Sequence, residues 1–261
     1  MTIAQPKSEF KVEKLRVKIY TTRQKLGLAA ARETANLINQ ILAQQEELVI
    51  AFAAAPSQVE FLYELAQITD LPWSQVIAFQ IDEYIGLPTD APQLFRNFLQ
   101  NIILDKLPLK AFYQINGNAT DLNQECQRYT KLLQAHPIDI ACLGIGENAH
   151  LAFNDPHCAD FEDPEWVKIV ELDEITRQQQ VNDGCFEAFD DVPGRALTLT
   201  IPALLRAKWI SCVVPAKGKA KAVEMSLTRQ ISAEYPASIL RTHDTATLYL
   251  DTDSASRLKF S

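Results

Sequence analysis

The stretch that decides the fold runs from Leu48 to Ile81. It reads L-V-I-A-F-A at 48–53, A-A-P-S-Q-V-E-F-L-Y-E-L-A-Q-I-T at 54–69, D-L-P-W-S-Q at 70–75 and V-I-A-F-Q-I at 76–81. Its two six-residue runs are near-continuously apolar rather than alternating. Strands covered on both faces in a parallel sheet have that pattern. Between the runs, Pro56 suits the first position of a helix reaching Thr69. Strand, helix and strand in succession predict a right-handed crossover between parallel neighbours.

The same alternation extends in both directions. Upstream, Leu15 to Tyr20 reads as a strand. Thr21 or Thr22 then caps a long helix to about Gln45, with Leu37, Ile38, Ile41 and Leu42 on one face. Downstream, a helix is expected over Gln93 to Lys106 and a short strand over Ala111 to Ile115. The next helix, Asp121 to Gln134, puts Leu122, Cys126, Tyr129 and Leu133 on one stripe. Further strands are expected at Ile138 to Leu143, Val167 to Leu172 and Ala196 to Thr200, the last leading into a short helix from Pro202. A strand at Trp209 to Val214, a helix over Gly218 to Leu227 and a strand at Thr247 to Leu250 close the series. The pattern predicts a doubly wound α/β layer structure in one domain over residues 1–261. Neither an internal repeat nor a linker interrupts it.

Composition narrows the function. Net charge is −8, which argues against a general binder of nucleic-acid backbones. An anionic small ligand would need local cations. The five cysteines (Cys126, Cys142, Cys158, Cys185 and Cys212) are scattered, which points to reduced thiols in a cytoplasmic protein. No signal-peptide core and no membrane-length apolar run is present, so no membrane partner is expected. Only 8 of the 261 residues are glycine, less than half of the roughly 7% usual share, so the position of each is informative.

In open α/β sheets ligands bind beyond the carboxyl ends of the strands. Four polar turns converge on that rim: A-A-A-P-S-Q (53–58), D-E-Y-I-G (82–86), G-I-G-E-N-A-H (144–150) and P-A-K-G-K (215–219). A carboxylate at Asp82 or Glu83 can act as a general base in a partly dry pocket; a helix cap or a solvated turn fits the same residues. Gly144 and Gly146 let backbone approach a ligand closely, or simply make a tight turn. His150 can move protons near neutrality, with Asn148 and Asp155 near enough in sequence to orient it. Asp155, His157 and Cys158 match no usual zinc spacing, so no metal is expected. One of Lys217, Lys219 and Lys221 can meet a phosphate at a helix start, or all three can lie on a solvated face. Ser57 and the amides around Ala54 and Ala55 offer a second anion contact.

Two strings carry a resemblance. F-Q-I-D-E-Y-I-G-L-P (79–88) and L-G-I-G-E-N-A-H-L-A-F-N-D-P (143–156) resemble the paired signature blocks of the glucosamine-6-phosphate deaminase/isomerase family. Supporting blocks are F-R-N-F-L (95–99), V-P-G-R-A-L-T-L-T-I-P-A-L-L (192–205) and V-P-A-K-G-K (214–219), so the resemblance spans about residues 15 to 251. It implies a three-layer α/β/α fold with a mostly parallel sheet, shared with 6-phosphogluconolactonase and ribose-5-phosphate isomerase. It also implies conversion of glucosamine 6-phosphate and water to fructose 6-phosphate and ammonia, without cofactor or metal. Asp82 matches the family's C2–C1 proton-transfer base and His150 the histidine that assists ring opening. Asn148 and Asp155 match the positions that hold that histidine. Lys219 matches the phosphate lysine, with Ala54, Ala55, Ser57, Glu83, Gly144 and Gly146 completing the expected substrate contacts. The expected partner is a small sugar phosphate, with a homo-oligomer left open.

The departures concentrate at one end. Many members carry Asp at the Asn148 position and Glu at the Asp155 position. The first phosphate loop, usually rich in Gly, Ser and Thr, reads A-A-A-P-S-Q here, and V-N-D-G near Asn182 replaces a phosphate-binding arginine. A 6-phosphogluconolactonase-type hydrolase is the alternative on the same fold, although those enzymes carry a D-G-H-T-A-S-like string where this chain has N-A-H-L-A-F. A related isomerase or binding protein for another sugar phosphate is a further alternative. A sensor fused to a DNA-binding module is disfavoured, because only about 14 residues precede the first expected strand, too few for a helix-turn-helix.

Overall fold

The computed structural model describes residues 5–259. The chain begins with β1 (Ser8–Val12) and β2 (Leu15–Tyr20), followed by α1 (Arg23–Leu42), β3 (Leu48–Phe52), α2 (Val59–Ala66) and β4 (Val76–Gln80). Then come β5 (Asp82–Tyr84), α3 (Phe95–Ile102), β6 (Ala111–Tyr113), α4 (Leu122–Ala135), β7 (Ile140–Leu143) and β8 (Val167–Glu171). The last third holds α5 (Glu174–Asn182), β9 (Arg195–Leu199), α6 (Ile201–Leu205), β10 (Trp209–Val214), α7 (Ala220–Thr228) and β11 (Ala246–Asp251). Thr22 caps α1, its hydroxyl accepting from the Lys25 amide, and Asp121 caps α4 through the amides of Asn123 and Gln124.

Eight strands form one sheet in the order β1-β2-β11-β10-β7-β3-β4-β6, parallel throughout except for β1. Successive side chains of a strand face opposite ways, which explains the uninterrupted apolar runs. Leu48, Ile50 and Phe52 enter one core with α1 and α2, while Val49 and Ala51 enter the other with α4 and α7. Helices therefore cover both faces, and the three-layer expectation holds. Gly27 lets α1 approach α2 closely, since a Cβ there would lie 2.7 Å from that of Glu60 and 2.9 Å from backbone atoms of Glu60 and Phe61. Among the described residues no helix is long and apolar enough to cross a membrane.

Several expectations need correction. The 82–86 segment is not a plain turn: Asp82–Tyr84 is a strand. β8 and β9, expected within the main series, leave it and join β5 in a separate antiparallel sheet ordered β5-β9-β8. Strand β1 and helix α5 were not anticipated. The helix expected from Pro56 begins as a 3-10 turn over Pro56–Gln58, and the helix expected over 93–106 regularises only at Phe95–Ile102.

The departure of β5 from the main sheet is secured at Gln80. On the β3 side the ladder reaches Gln80 through Phe52, but β6 pairs with β4 only as far as Phe79↔Tyr113, so on that side no strand lies beside Gln80. The buried Tyr129 hydroxyl takes that place. It accepts from the Gln80 amide at 3.1 Å and lies within donating distance of the Gln80 and Tyr113 carbonyls, at 2.8 and 3.0 Å. Tyr129→Phe should therefore cost about 1–3 kcal/mol by leaving buried backbone groups unpaired. Denaturant unfolding measures this; an unchanged midpoint and slope would show that the hydroxyl bears no part of the bend.

Candidate active site

Loops after four adjacent strands, β10, β7, β3 and β4, open onto one cavity at the carboxyl edge of the sheet. Ala54, Ala55, Ser57, Gly144, Gly146 and Lys219 line it together with Asp82 and His150. Asn148 and Asp155 stand behind His150 rather than on the cavity wall.

Asp82 and Glu83 are neighbours on β5, so their side chains leave on opposite faces. Asp82 faces the cavity. Burial pushes its carboxyl well above the ordinary carboxylate range, and the negative charge of Glu83 adds to the shift. Glu83 does not line the cavity, and its expected role as a substrate contact is corrected. Its fully buried carboxylate accepts from the amides of Tyr84, Phe95 and Arg96 at 3.0 Å each, and from the Gln80 carboxamide at 3.2 Å. It thereby caps the amino end of α3. Of the two readings of this acidic pair, the cap describes Glu83, and Asp82 is the member that reaches the cavity wall.

The His150 loop is tightly built. Gly146 packs against the imidazole so closely that a Cβ would overlap the ring. Ala149 and Ala152 take left-handed backbone, with φ of 68° and 50°. The His150 Nδ1 lies 2.9 Å from Asn148 Oδ1 and 3.0 Å from both Asp155 Oδ1 and the Thr176 hydroxyl. The Asn148 amide hydrogens go to Asp155 Oδ1 and Thr176 Oγ1, which fixes its carbonyl toward the ring. Acceptors surround Nδ1, so that nitrogen carries the hydrogen and Nε2 keeps a free lone pair. Asp155 is fully buried. Although burial opposes its charge, donors from His150, Thr176 and Asn148 hold its carboxyl down at about 2, so it is an anion at neutral pH.

At the other end stands Lys219. It is nine-tenths buried, and its ammonium makes no hydrogen bond or ion pair with another described residue. Burial lowers its pKa, an effect opposed by the nearby charges of Asp183 and Glu147. Lys217 and Lys221 are exposed, so of the three candidate lysines only Lys219 reaches the cavity. Asn182 closes α5 and does not line the cavity. The Arg177 guanidinium is bonded to the Phe189 and Val192 carbonyls and packs on the Phe189 ring.

Sequence reasoning missed the cover of the site. Helix α5 brings Thr176 against His150 and brings Gln179 and Gln180 to the cavity, while Phe95 and Phe153 supply an apolar wall. A signal for α5 was available in Asp173, which caps the helix by accepting from the Ile175 amide. Gln179 accepts from the Glu147 amide at 2.8 Å, whereas the Gln180 carboxamide has no hydrogen-bond partner among the described residues. Gln58 ties the first loop down, its amide donating to the Val213 carbonyl at 3.0 Å and the Ser57 hydroxyl at 3.1 Å. Among the described residues no three His, Cys, Asp or Glu side chains gather as metal ligands.

A doubly wound α/β protein whose strand-end cavity joins a desolvated carboxyl, an oriented imidazole and an unpaired ammonium is equipped for proton transfer on a small anionic molecule. The family model of glucosamine-6-phosphate isomerases/6-phosphogluconolactonases matches residues 21–249, and the chain belongs to that family. It is 36% identical over 220 residues to a glucosamine-6-phosphate deaminase of Bacillus cereus, covering 84% of this chain and 82% of that protein. A Bacillus thuringiensis glucosamine-6-phosphate deaminase matches with the same identity and coverage. Among solved structures, a monomeric glucosamine-6-phosphate deaminase superposes with a TM-score of 0.85 at 31% identity, over 92% of this chain and 98% of that one. A 6-phosphogluconolactonase of Thermotoga maritima shares the fold, with a TM-score of 0.73 at 16% identity, over 91% of this chain and 100% of that one.

The raised Asp82 carboxyl has a consequence for stability. Its folded pKa lies above its unfolded value, so the native state holds this proton more tightly than the unfolded chain does. The penalty for burying Asp82 is absent below the unfolded pKa of about 3.9 and grows as pH rises toward the folded value. Asp82→Asn should therefore stabilise the protein by about 1 kcal/mol near neutral pH, roughly 2–4 °C in Tm, and by much less near pH 3.5. Thermal melts of both proteins across that range check the sign.

Proposed function

We propose that this protein converts glucosamine 6-phosphate and water to fructose 6-phosphate and ammonia. One observation carries the reading: Asp82, the Nε2 side of His150 and the unpaired Lys219 ammonium all face one cavity. Three strand spacings of ~4.8 Å separate the β10 loop from β4, about 14 Å in all, and inward-reaching side chains narrow this to the span of a hexose phosphate. The relatives named above support the same chemistry.

Lys219 takes the phosphate, assisted by the Ser57 hydroxyl and the amides of the loop at Ala54 and Ala55. At the opposite end His150 Nε2 accepts the proton of the anomeric hydroxyl and passes it to the ring oxygen as the pyranose opens. Nδ1–H stays on its acceptors, and the Asp155 charge stabilises the transient imidazolium. In the open chain C1 is a carbonyl, which acidifies the hydrogen on C2. Ionised Asp82 removes that hydrogen as the C2 ammonium passes a proton to O1, leaving an enolamine, and Asp82 then returns its proton to C1, which leaves C2 as a protonated imine. The resulting C2 imine adds water and expels ammonia, giving the ketose.

The raised pKa of Asp82 serves both halves of this transfer. A carboxylate of raised pKa is a stronger base than an ordinary one, and its protonated form gives the proton back on the return. Gln180, buried and with no side-chain hydrogen-bond partner among the described residues, is placed to hydrogen-bond a substrate hydroxyl or amino group.

Purified protein given glucosamine 6-phosphate should release ammonia and fructose 6-phosphate in equal amounts, with a rate that rises with pH as Asp82 ionises. Lys219→Met should raise KM for the phosphorylated sugar at least about tenfold, the loss expected for a buried charge-assisted contact. No turnover at millimolar substrate, together with hydrolysis of 6-phosphogluconolactone, would replace the deaminase reading with the lactonase one.

A further inference from the structure

Thr176 lies in the first turn of α5 and is fully buried, with no access to a ligand of its own. Its hydroxyl nevertheless meets all three members of the histidine cluster. It donates to Asp155 Oδ1 at 2.5 Å and stands 3.0 Å from His150 Nδ1 and 3.2 Å from the Asn148 amide nitrogen. The hydrogens can be assigned one by one. An ionised Asp155 only accepts, and the Asn148 nitrogen only donates. The Thr176 hydrogen therefore points at Asp155, and its lone pairs are left for Asn148 and for the His150 Nδ1–H.

We propose that Thr176 is a positioning residue for ring opening: its hydroxyl ties His150, Asn148 and Asp155 to the start of α5 and so aims Nε2 into the cavity. The kinetic part of this inference rests on the deaminase reading; the placing of the ring does not. Three features make Thr176 suited to the task. The Asn148 carbonyl and the Asp155 carboxylate also accept from Nδ1, at 2.9 and 3.0 Å, so the tautomer is held without Thr176 and its hydroxyl sets where the ring stands. Asp155 also accepts from the Asp173 amide at the start of α5, at 3.0 Å, so the carboxylate and Thr176 are held by the same helix end. Threonine is β-branched and stiff at χ1 in a helix, which keeps the oxygen on the cluster where a longer side chain would swing. Through this one hydroxyl the orientation of the imidazole is coupled to the helix that carries Gln179 and Gln180 over the site.

The test uses Thr176→Val, which keeps the shape and removes the hydroxyl, and Thr176→Ser, which keeps it. Nitrogen NMR of imidazole-labelled protein without ligand reads both the tautomer and the hydrogen-bonded surroundings of each ring nitrogen. All three proteins are expected to carry the hydrogen on Nδ1; the Nδ1 shift of Thr176→Ser should match the wild-type one, and that of Thr176→Val should be displaced. With glucosamine 6-phosphate, Thr176→Val should lower kcat about tenfold or more while KM stays within about twofold, and serine should restore most of the rate. An Nε2–H tautomer in the wild-type protein overturns the proposal even if the valine variant does not fold. So does a valine variant with unchanged Nδ1 shift and kcat. If no form of the protein turns over glucosamine 6-phosphate, the deaminase reading fails, while the NMR result still decides the role of Thr176.

Discussion

The buried carboxylate of Glu83 is the constraint on which the site depends. It is a carboxylate at zero exposure with no side-chain cation among the described residues against it, a costly arrangement unless hydrogen bonds compensate. Four donors do so, three of them backbone amides from β5 and the first turn of α3. The chain satisfies them only if it leaves the main sheet after Ile81, passes beneath the start of α3 and pairs with β9. That path turns Asp82 toward the cavity. The acidic residue without access to substrate thus determines where the accessible one stands.

Three carboxylates in this region serve different ends because their surroundings differ. Asp155 gathers donors and stays ionised. Glu83 gathers donors too, yet burial remains its largest influence and its pKa is raised. Asp82 has burial and a neighbouring negative charge with nothing to offset them, and its proton is held most easily. Environments that push such groups apart separate acid–base work from electrostatic support. The Asp155 charge belongs with His150, and on the proposed reading the carboxyl of raised pKa belongs with the substrate. The buried Lys219 brings the one further full charge that both lies on the cavity wall and, among the described residues, has no partner.

Much of this was legible in the sequence, and the limits have physical causes. Trp209–Val214 matches its apolar run residue for residue, because a strand buried on both faces leaves no ambiguity of period. The four rim segments were identifiable because the βα alternation places them on one edge. Strand β5 was not, since D-E-Y has no strand composition and its pairing partner lies more than a hundred residues away. That omission is also why Asp82 and Glu83 were indistinguishable: a strand sends neighbours to opposite faces, whereas a turn makes no such division. Helix α5 is polar around most of its surface, and the burial of Thr176, Gln179 and Gln180 arises only when it closes over loops contributed by β3 and β7. Local patterns do not encode that contact.

The scarcity of glycine bears on how the anion end works. At 53–55 three alanines stand where the resemblance leads one to expect glycine, serine and threonine, and their methyl groups line the wall. Alanine takes left-handed backbone only at a cost, so this loop is poorly suited to wrap a phosphate in successive amides. Instead Gln58 anchors the loop to the end of β10, bringing Ser57 beside Gly144, where an added Cβ would lie 3.0 Å from the Gln58 nitrogen. The loop is thus a rigid wall with one hydroxyl, and the attraction for an anion resides in Lys219. Binding that depends on a single ammonium, itself near Asp183 and Glu147, is sensitive to the charge on the ligand. The proton-transfer end, with its fully bonded histidine cluster and its desolvated Asp82, has no such dependence. On the proposed reading, selectivity among sugar phosphates resides at the lysine and at the glutamines of α5, and the chemistry on the other side of the cavity.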